Sequence, residues 1–176
     1  MGSSRLPLWL KIGWTVWVAI WLPVYWNYYG PRNFLWFCDI ANFMIMVGLW
    51  LESPVVLSWQ ACSVLLIQLL YTFDLVVRAV TGFHPIGGTG YMFNDDGSNL
   101  PIGMRLLSLF HVATPPLLIW GLKRLGYDRR GLYWQIATAW IVLPICFLGW
   151  SEKVTSTGSG GPSTGPSTSS SRRGCS

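Results

Sequence analysis

Residues 55–79, VVLSWQACSVLLIQLLYTFDLVVRA, decide the fold class of this chain. Within this stretch only Asp74 and Arg78 carry a charge. An α-helix rises about 1.5 Å per residue, so about 20 apolar residues cross the hydrocarbon core of a bilayer. The stretch therefore predicts a membrane-spanning α-helix.

Other apolar segments of similar length lie on both sides of it, at residues 8–26, 33–51, 103–122 and 132–150. Together the segments predict an all-α, polytopic transmembrane helix bundle of about five spans over residues 1–150. Residues 151–176 are rich in Ser, Gly, Thr and Pro. Such a segment buries too little apolar surface to offset its chain entropy, so we expect a disordered tail there.

The composition supports a lipid environment. The chain is 52% hydrophobic and 11% charged, whereas an ordinary soluble domain is about 25% charged. The lipid bilayer is therefore the expected partner. Many of the 12 Trp residues lie at predicted span ends, where indole favours the headgroup level: Trp9, Trp26, Trp36, Trp50, Trp134 and Trp150.

The charges and cysteines argue against several other classes of protein. The net charge of +5 is not arranged as a basic stripe with interleaved aromatics, so we expect no nucleic-acid partner. The 4 Cys and 2 His residues have neither a disulfide-framework spacing nor a zinc-ligand spacing. We accordingly expect no metal and no cofactor.

The distribution of basic residues predicts the topology. The loop 123–131 contains Lys123, Arg124, Arg129 and Arg130, and the positive-inside rule places it in the cytoplasm. By alternation the N-terminus and the turn 52–54 are also cytoplasmic, while loops 27–32 and 80–102 and the C-terminal tail lie outside. The sequence thus predicts a multi-pass protein of the cell membrane.

Ionisable groups inside a span are costly and mark candidate sites. The second predicted helix carries Asp39 and Asn42, the third carries Asp74 and Arg78, and the fourth carries His111. With the predicted topology, the acidic and imidazole groups fall at similar depths below the outer surface. We expect them to form one polar cluster there.

Helical periodicity extends this cluster, because residues three, four or seven apart share a face. On the third helix one stripe runs through Gln60, Ser63, Ile67, Tyr71, Asp74 and Arg78, and on the fourth another runs through Ser108, His111 and Thr114. Pro115 and Pro116 should leave the carbonyls of His111 and Val112 free for other donors. The outer loop with His84 is expected to fold over the pocket mouth. The predicted pocket-lining residues are Asn42, Tyr71, Asp74, Arg78, Ser108 and His84.

Each of these signals has a simpler structural interpretation. Asp74 and Arg78 have the i, i+4 spacing at which opposite charges neutralise one another, and His111 is compatible with packing alone. Asp39 has no basic residue within one turn, so its partner should come from another helix, with His111 and Arg78 as candidates. Cys38 is either a nucleophile served by His111 or an inert cysteine of an apolar helix.

Residues 29–41, YGPRNFLWFCDIA, together with Phe110-His111 and Pro115-Pro116, resemble uncharacterised bacterial membrane-associated proteins. More distantly, a polar residue early in one helix and a His in a later helix are similar to the androgen-induced membrane hydrolases and their bacterial relatives. This resemblance implies that Cys38 is the nucleophile and His111 the base, with a lipid acyl ester as substrate. It assigns no role to Asp39.

Three functional hypotheses follow from these observations. The first is a lipid-directed membrane hydrolase or acyltransferase with a site near the outer leaflet, in which His111 acts with Asp39 or Cys38 as the catalytic residues. The second is a small-solute or proton-coupled carrier, in which Asp39, Asp74, Arg78 and His111 line a hydrated path. The third is a structural accessory subunit that packs on other membrane proteins.

Overall fold

The computed structural model describes residues 5–94, 97 and 99–157, with the backbone alone for residues 148–157. The chain divides into two compact units, residues 1–142 and 143–176. The second unit is described as a helical segment over residues 143–157. The site discussed below belongs to the first unit.

The described residues form helices and no strand, which confirms the predicted all-helical fold class. The elements are α1 (Leu8–Tyr29), α2 (Phe37–Leu51), α3 (Pro54–Thr81), α4 (Gly90–Phe93), α5 (Ile102–Leu125) and α6 (Arg130–Thr157). A 3-10 helix, Pro31–Leu35, precedes α2. A π-helical turn, Ala61–Leu65, interrupts α3, and α5 has a break between Leu107 and Phe110.

Within the described residues, three helices, α1, α3 and α5, are long and apolar enough to cross a membrane, fewer than the five predicted. Helix α2 begins at Phe37 instead of residue 33, because Gly30 (φ +79°) ends α1 and Pro31 starts the 3-10 turn. Its 15 residues rise about 22 Å at the usual pitch, less than a hydrocarbon core of about 30 Å. The three long apolar helices suggest a membrane location.

The helices pack on an apolar interior and present an apolar exterior. The main core contains Leu6, Trp14, Val18, Ala41, Ile45, Leu49, Leu57, Val64 and Leu118. On the outer face of α1, Ile12, Val16, Ile20 and Val24 follow one another at a spacing of four residues and are all exposed. An exposed apolar stripe of this kind is suited to lipid contact.

The tryptophans divide between these two surfaces. Five of the six predicted interface residues are exposed, namely Trp9, Trp26, Trp36, Trp50 and Trp134, whereas the side chain of Trp150 lies outside the described residues. Trp14 and Trp21 are instead buried in the core.

The bundle has two distinct ends. At the basic end, which carries residues 5–7, 52–54 and 126–129, Lys11 Nζ lies 2.7 Å from Glu52 Oε1 and the Asp128 amide donates to Ser58 Oγ at 2.9 Å. At the cap end, which carries residues 27–36, 82–94 and 99–101, the hydroxyls of Tyr25 and Ser108 lie 3.1 Å apart. The predicted placement of these ends on opposite sides of a membrane stays a prediction.

The last helix extends beyond the predicted boundary at residue 150 and ends at Thr157. The rest of the predicted disordered tail, residues 158–176, lies outside the described residues.

Candidate functional site

The cap loop, residues 82–94, folds back on the bundle and is fastened by Asp74 of α3. Asp74 Oδ1 accepts from the Ile86 and Gly87 amides at 2.8 and 3.2 Å. Asp74 Oδ2 accepts from the Thr89 amide at 3.0 Å and from the Thr89 hydroxyl at 2.7 Å. Because these donors surround a fully buried carboxylate, Asp74 is a structural anchor of the loop.

Arg78 does not neutralise Asp74, so the predicted i, i+4 pair is wrong. The Arg78 guanidinium donates to the Gly82 carbonyl and lies 5.4 Å from the centre of the Phe93 ring. Gly82 has φ +74° and ends α3. The loop therefore turns back immediately after α3 and supplies the partners of both charged residues, which helical spacing alone could not reveal.

His84 lies with Asp74 on the inner side of the cap loop. Its Nδ1 is 3.7 Å from Asp74 Oδ2 and 3.5 Å from Thr89 Oγ1, and its ring meets Phe93 edge to face. The loop thus folds back on the bundle, with His84 placed beside the loop anchor.

A group of hydroxyls lies beneath the cap loop. The phenol oxygens of Tyr71 and Tyr91 are 2.7 Å apart, and the Ser108 hydroxyl is 3.1 Å from the Tyr25 phenol. Burial raises the pKa of Tyr91, while hydrogen bonding to Tyr71 and Ser108 acts in the opposite direction. These four residues bring α1, α3, α5 and the cap loop to one polar cluster.

His111 lies half-buried at this cluster. Its Nδ1 is 2.9 Å from the Ser108 carbonyl, which can only accept, so Nδ1 carries the hydrogen. In the neutral imidazole Nε2 is then an acceptor. The ring lies 4.7 Å from that of Tyr71 and 4.0 Å from that of Phe110. These contacts fix the orientation of the ring, and they place it between α3 and α5.

Pro115 leaves one backbone carbonyl of α5 without its helical donor, as predicted. Pro115 cannot donate to the His111 carbonyl, and the Thr72 hydroxyl lies 3.5 Å from that oxygen while donating to the Gln68 carbonyl at 2.7 Å. Ser108 and Thr114 are both buried. Helix α5 therefore carries polar groups into the bundle.

Asp39 has a different partner from the ones predicted. Its Oδ2 accepts from Asn33 Nδ2 at 2.6 Å, and its Oδ1 lies 3.9 Å from Cys38 Sγ. Asn33 reaches it because the 3-10 helix folds back on the first turn of α2. Among the ion pairs of the described residues none includes Asp39, although it is only 2% exposed.

Cys38 and Asp39 nevertheless belong to the same end of the bundle as His111. Cys38 packs against the aromatic cluster of Trp21, Tyr25, Met104 and Phe110, and Phe110 precedes His111 in α5. The structure thus joins Cys38 to His111 only through Phe110, and Asp39 contacts Cys38 without a hydrogen bond to His111 among the described residues.

Deeper in the bundle, three buried amide side chains have atoms without hydrogen-bond partners. These are both polar atoms of Asn42 and of Gln68, and Nε2 of Gln60. Gln68 is fully buried whereas Ile67 is exposed, so the predicted polar stripe of α3 is wrong at Ile67. The π-helical turn adds a residue to the preceding turn and moves Gln68 to the inner face.

Four residues of the cluster were missed by sequence reasoning: Asn33, Tyr25, Thr89 and Tyr91. The contact between Asn33 and Asp39 could be predicted only by knowing that Asn33 lies in a 3-10 turn just before α2. Tyr25 shares a face of α1 with the apolar residues Trp21 and Leu22, and the helix is apolar on all sides. The sequence pattern therefore did not mark Tyr25 as a polar member of the cluster. The loop residues depend on the path of the chain after Gly82.

Among the described residues no group of three or more His, Cys, Asp or Glu side chains could hold a metal ion. The site offers instead the His111 imidazole, the Cys38 thiol, the Asp39 carboxylate and several hydroxyls. These groups are suited to proton transfer, to nucleophilic attack and to hydrogen bonding of a polar headgroup.

No protein-family model, no curated protein and no solved structure matches this chain. The resemblance to the androgen-induced membrane hydrolases stays a prediction that rests on the residues quoted above.

Proposed function

We propose that this chain is a lipid-directed membrane enzyme, of the hydrolase or acyltransferase type, with its site beneath the cap loop. The observation that carries the proposal is the orientation of His111. Its Nδ1 donates to the Ser108 carbonyl at 2.9 Å, and this bond fixes the orientation of the ring. Nε2 is therefore free of hydrogen and can act as a base. Because the helices that hold the site suggest a membrane location, an ester-linked lipid is the natural substrate.

In this proposal Cys38 is the nucleophile and His111 the general base. The thiol attacks the ester carbonyl, its proton passes to Nε2, and the alcohol leaves with that proton as the acyl group forms a thioester. Water or a second alcohol then takes the acyl group. Asp39, 3.9 Å from the thiol, and the Asn33 amide position the Cys38 segment.

The proposal is tested in vesicles that contain ester-linked phospholipids, with mass spectrometry of released fatty acid and lysolipid. His111→Asn is the informative variant, because the Asn amide keeps a donor for the Ser108 carbonyl but has no counterpart of Nε2. We expect turnover to fall by about 100-fold or more with unchanged thermal unfolding. Equal turnover in the wild type and the variant would remove His111 from the chemistry.

Cys38→Ala separates covalent catalysis from direct attack by water. We expect no hydroxylamine-sensitive acyl-protein in this variant, while Cys62→Ala and Cys146→Ala, which change exposed cysteines, should retain it. Retention of turnover in Cys38→Ala together with its loss in His111→Asn would assign His111 to activation of water.

A second candidate function, a proton-coupled or small-solute carrier, is favoured by the unpartnered amides of Asn42, Gln60 and Gln68. Buried amides are normally satisfied by protein or by water, so these side chains are suited to line a hydrated path. Proton flux into dye-loaded vesicles that is lost in Gln68→Leu and kept in Asn27→Leu would support this function. Asn27 is exposed at the end of α1. Wild-type vesicles no leakier than protein-free vesicles would eliminate it.

The proposed topology places the basic end in the cytoplasm and the cap end outside. The grouping of Lys11 with Glu52 and of Asp128 with Ser58 at one end supports it. Cysteine labelling tests it: a cysteine introduced at Asn27 should react with an impermeant reagent in intact cells, and one at Arg129 should not. The reverse pattern would invert the topology.

A further inference from the structure

An open groove of about 370 Å³ lies at the basic end, between the start of α1 and the last turns of α5. Its walls are Trp9 and Leu10 on one side and Pro116, Leu117 and Trp120 on the other. The volume is within the range of small-molecule sites, which is about 300–1,000 Å³. Every lining residue is apolar, so the groove is suited to a hydrocarbon chain.

A guanidinium lies at the end of this groove. Arg124 is 5.3 Å from the centre of the Trp120 ring, so one wall of the groove also positions a cation. Arg124 is exposed, and Lys123 precedes it in the last turn of α5. The groove therefore combines an apolar floor with a positive charge at one end.

The spacing along α5 matches the geometry of one lipid leaflet. From Pro116 to Arg124 the helix advances about 12 Å at 1.5 Å per residue, and half of a hydrocarbon core is about 15 Å. With Arg124 at the headgroup level, an acyl chain would extend along the groove past Trp120 to Pro116. A phosphate at that level would meet Arg124.

We propose that this groove is a binding site for an anionic phospholipid, with one acyl chain between Trp9 and Leu117 and the phosphate on Arg124. The site is at the opposite end of the bundle from the cap loop and does not depend on the proposed enzymatic function. Charge complementarity selects the anionic lipid: a zwitterionic lipid of equal chain length fills the groove but carries no net negative charge.

The test is native mass spectrometry of the full chain in detergent, titrated with phosphatidylglycerol or with phosphatidylcholine of the same chains. We expect phosphatidylglycerol to bind about fivefold more tightly, which corresponds to about 1 kcal/mol for one basic side chain near the membrane surface. Arg124→Gln should abolish this preference. Arg130→Gln, which removes the same charge at the start of α6, should retain it.

The apolar half of the site is tested separately. Leu117→Trp should fill the groove and weaken the binding of both lipids. If this larger side chain impairs folding, Trp9→Ala is the alternative variant. It removes an exposed wall of the groove and should also weaken the binding of both lipids. Equal affinity for the two lipids would overturn the proposal. An equal loss of the phosphatidylglycerol preference in Arg124→Gln and Arg130→Gln would also overturn it, in favour of diffuse attraction to the basic end. Displacement of the lipid by soluble glycerol phosphate would show headgroup binding without the groove.

Discussion

The phenol oxygens of Tyr71 and Tyr91 lie 2.7 Å apart and join a long apolar helix to the cap loop. This bond closes the loop over the half-buried imidazole of His111, whose ring lies 4.7 Å from that of Tyr71. Tyr71 therefore contacts both the cap loop and the candidate base. Loosening the loop should change access to the site without moving the helices.

Ionisation of Tyr91 should weaken the fold at high pH. Burial raises the pKa of this phenol above its ordinary value of about 10, so the unfolded chain ionises first. The stabilisation is complete below about pH 10 and is lost as the pH rises through the raised pKa. Thermal unfolding from pH 8 to pH 11 should show an alkaline decline that is smaller in Tyr91→Phe. Tyr133→Phe, which removes an exposed phenol, is the control and should decline like the wild type.

Asp74→Asn should release the cap loop. The substitution removes a charge that accepts from Ile86, Gly87 and Thr89 and presents an amide NH₂ to some of those donors. We expect a loss of at least about 2 kcal/mol in the free energy of unfolding and faster proteolysis within residues 82–94. Asp128→Asn, at the basic end, is the control. An unchanged cleavage rate would show that Asp74 does not hold the loop.

The class of fold and several members of the cluster were predictable from sequence, because intramembrane charge and helical phase are local properties. Apolar length located α1, α3 and α5, and the proline pair located the free carbonyl of His111 that Thr72 approaches. Both arguments rely only on residues that are close together in the sequence, in the same helix or in the same helical turn.

The partners of the charged residues were not predictable, because they depend on departures from regular helix. Asn33 reaches Asp39 through a 3-10 turn, Gln68 turns inward after a π-helical turn, and Asp74 is satisfied by a loop that reverses at Gly82. Helical periodicity assumes that none of these occurs.

Gly131 should be essential for the contact between α6 and α3. A Cβ at this position would lie 2.5 Å from the Trp59 nitrogen and 2.7 Å from Ser58 atoms, and backbone atoms cannot yield as a flexible side chain does. We expect Gly131→Ala to lower the unfolding free energy by about 1–3 kcal/mol. In Gly13→Ala, where nothing lies within 4 Å, stability should be unchanged or slightly raised because Ala favours the helix. Equal melting temperatures of the two variants would contradict the described packing.

The ion pair of Lys11 and Glu52 should fix the N-terminus at the basic end. Glu52 also accepts from the Arg5 and Leu6 amides, and the two side chains are only 8% and 20% exposed. Glu52→Gln removes the carboxylate charge that faces a largely buried ammonium, so we expect a loss of about 3–5 kcal/mol. The double variant Lys11→Met with Glu52→Gln should recover part of it in chemical unfolding. No recovery would mean that the amide contacts, and not the charge pair, carry the effect.

The account depends most on the protonation of His111, since a base at the site requires Nε2 to be free of hydrogen. Nitrogen NMR of histidine-labelled protein in lipid at neutral pH, assigned with His111→Asn, reads this directly. We predict a neutral imidazole with hydrogen on Nδ1, held by the Ser108 carbonyl, and an unprotonated Nε2. A signal from hydrogen on Nε2 with a bare Nδ1 would contradict the described site and the mechanism built on it.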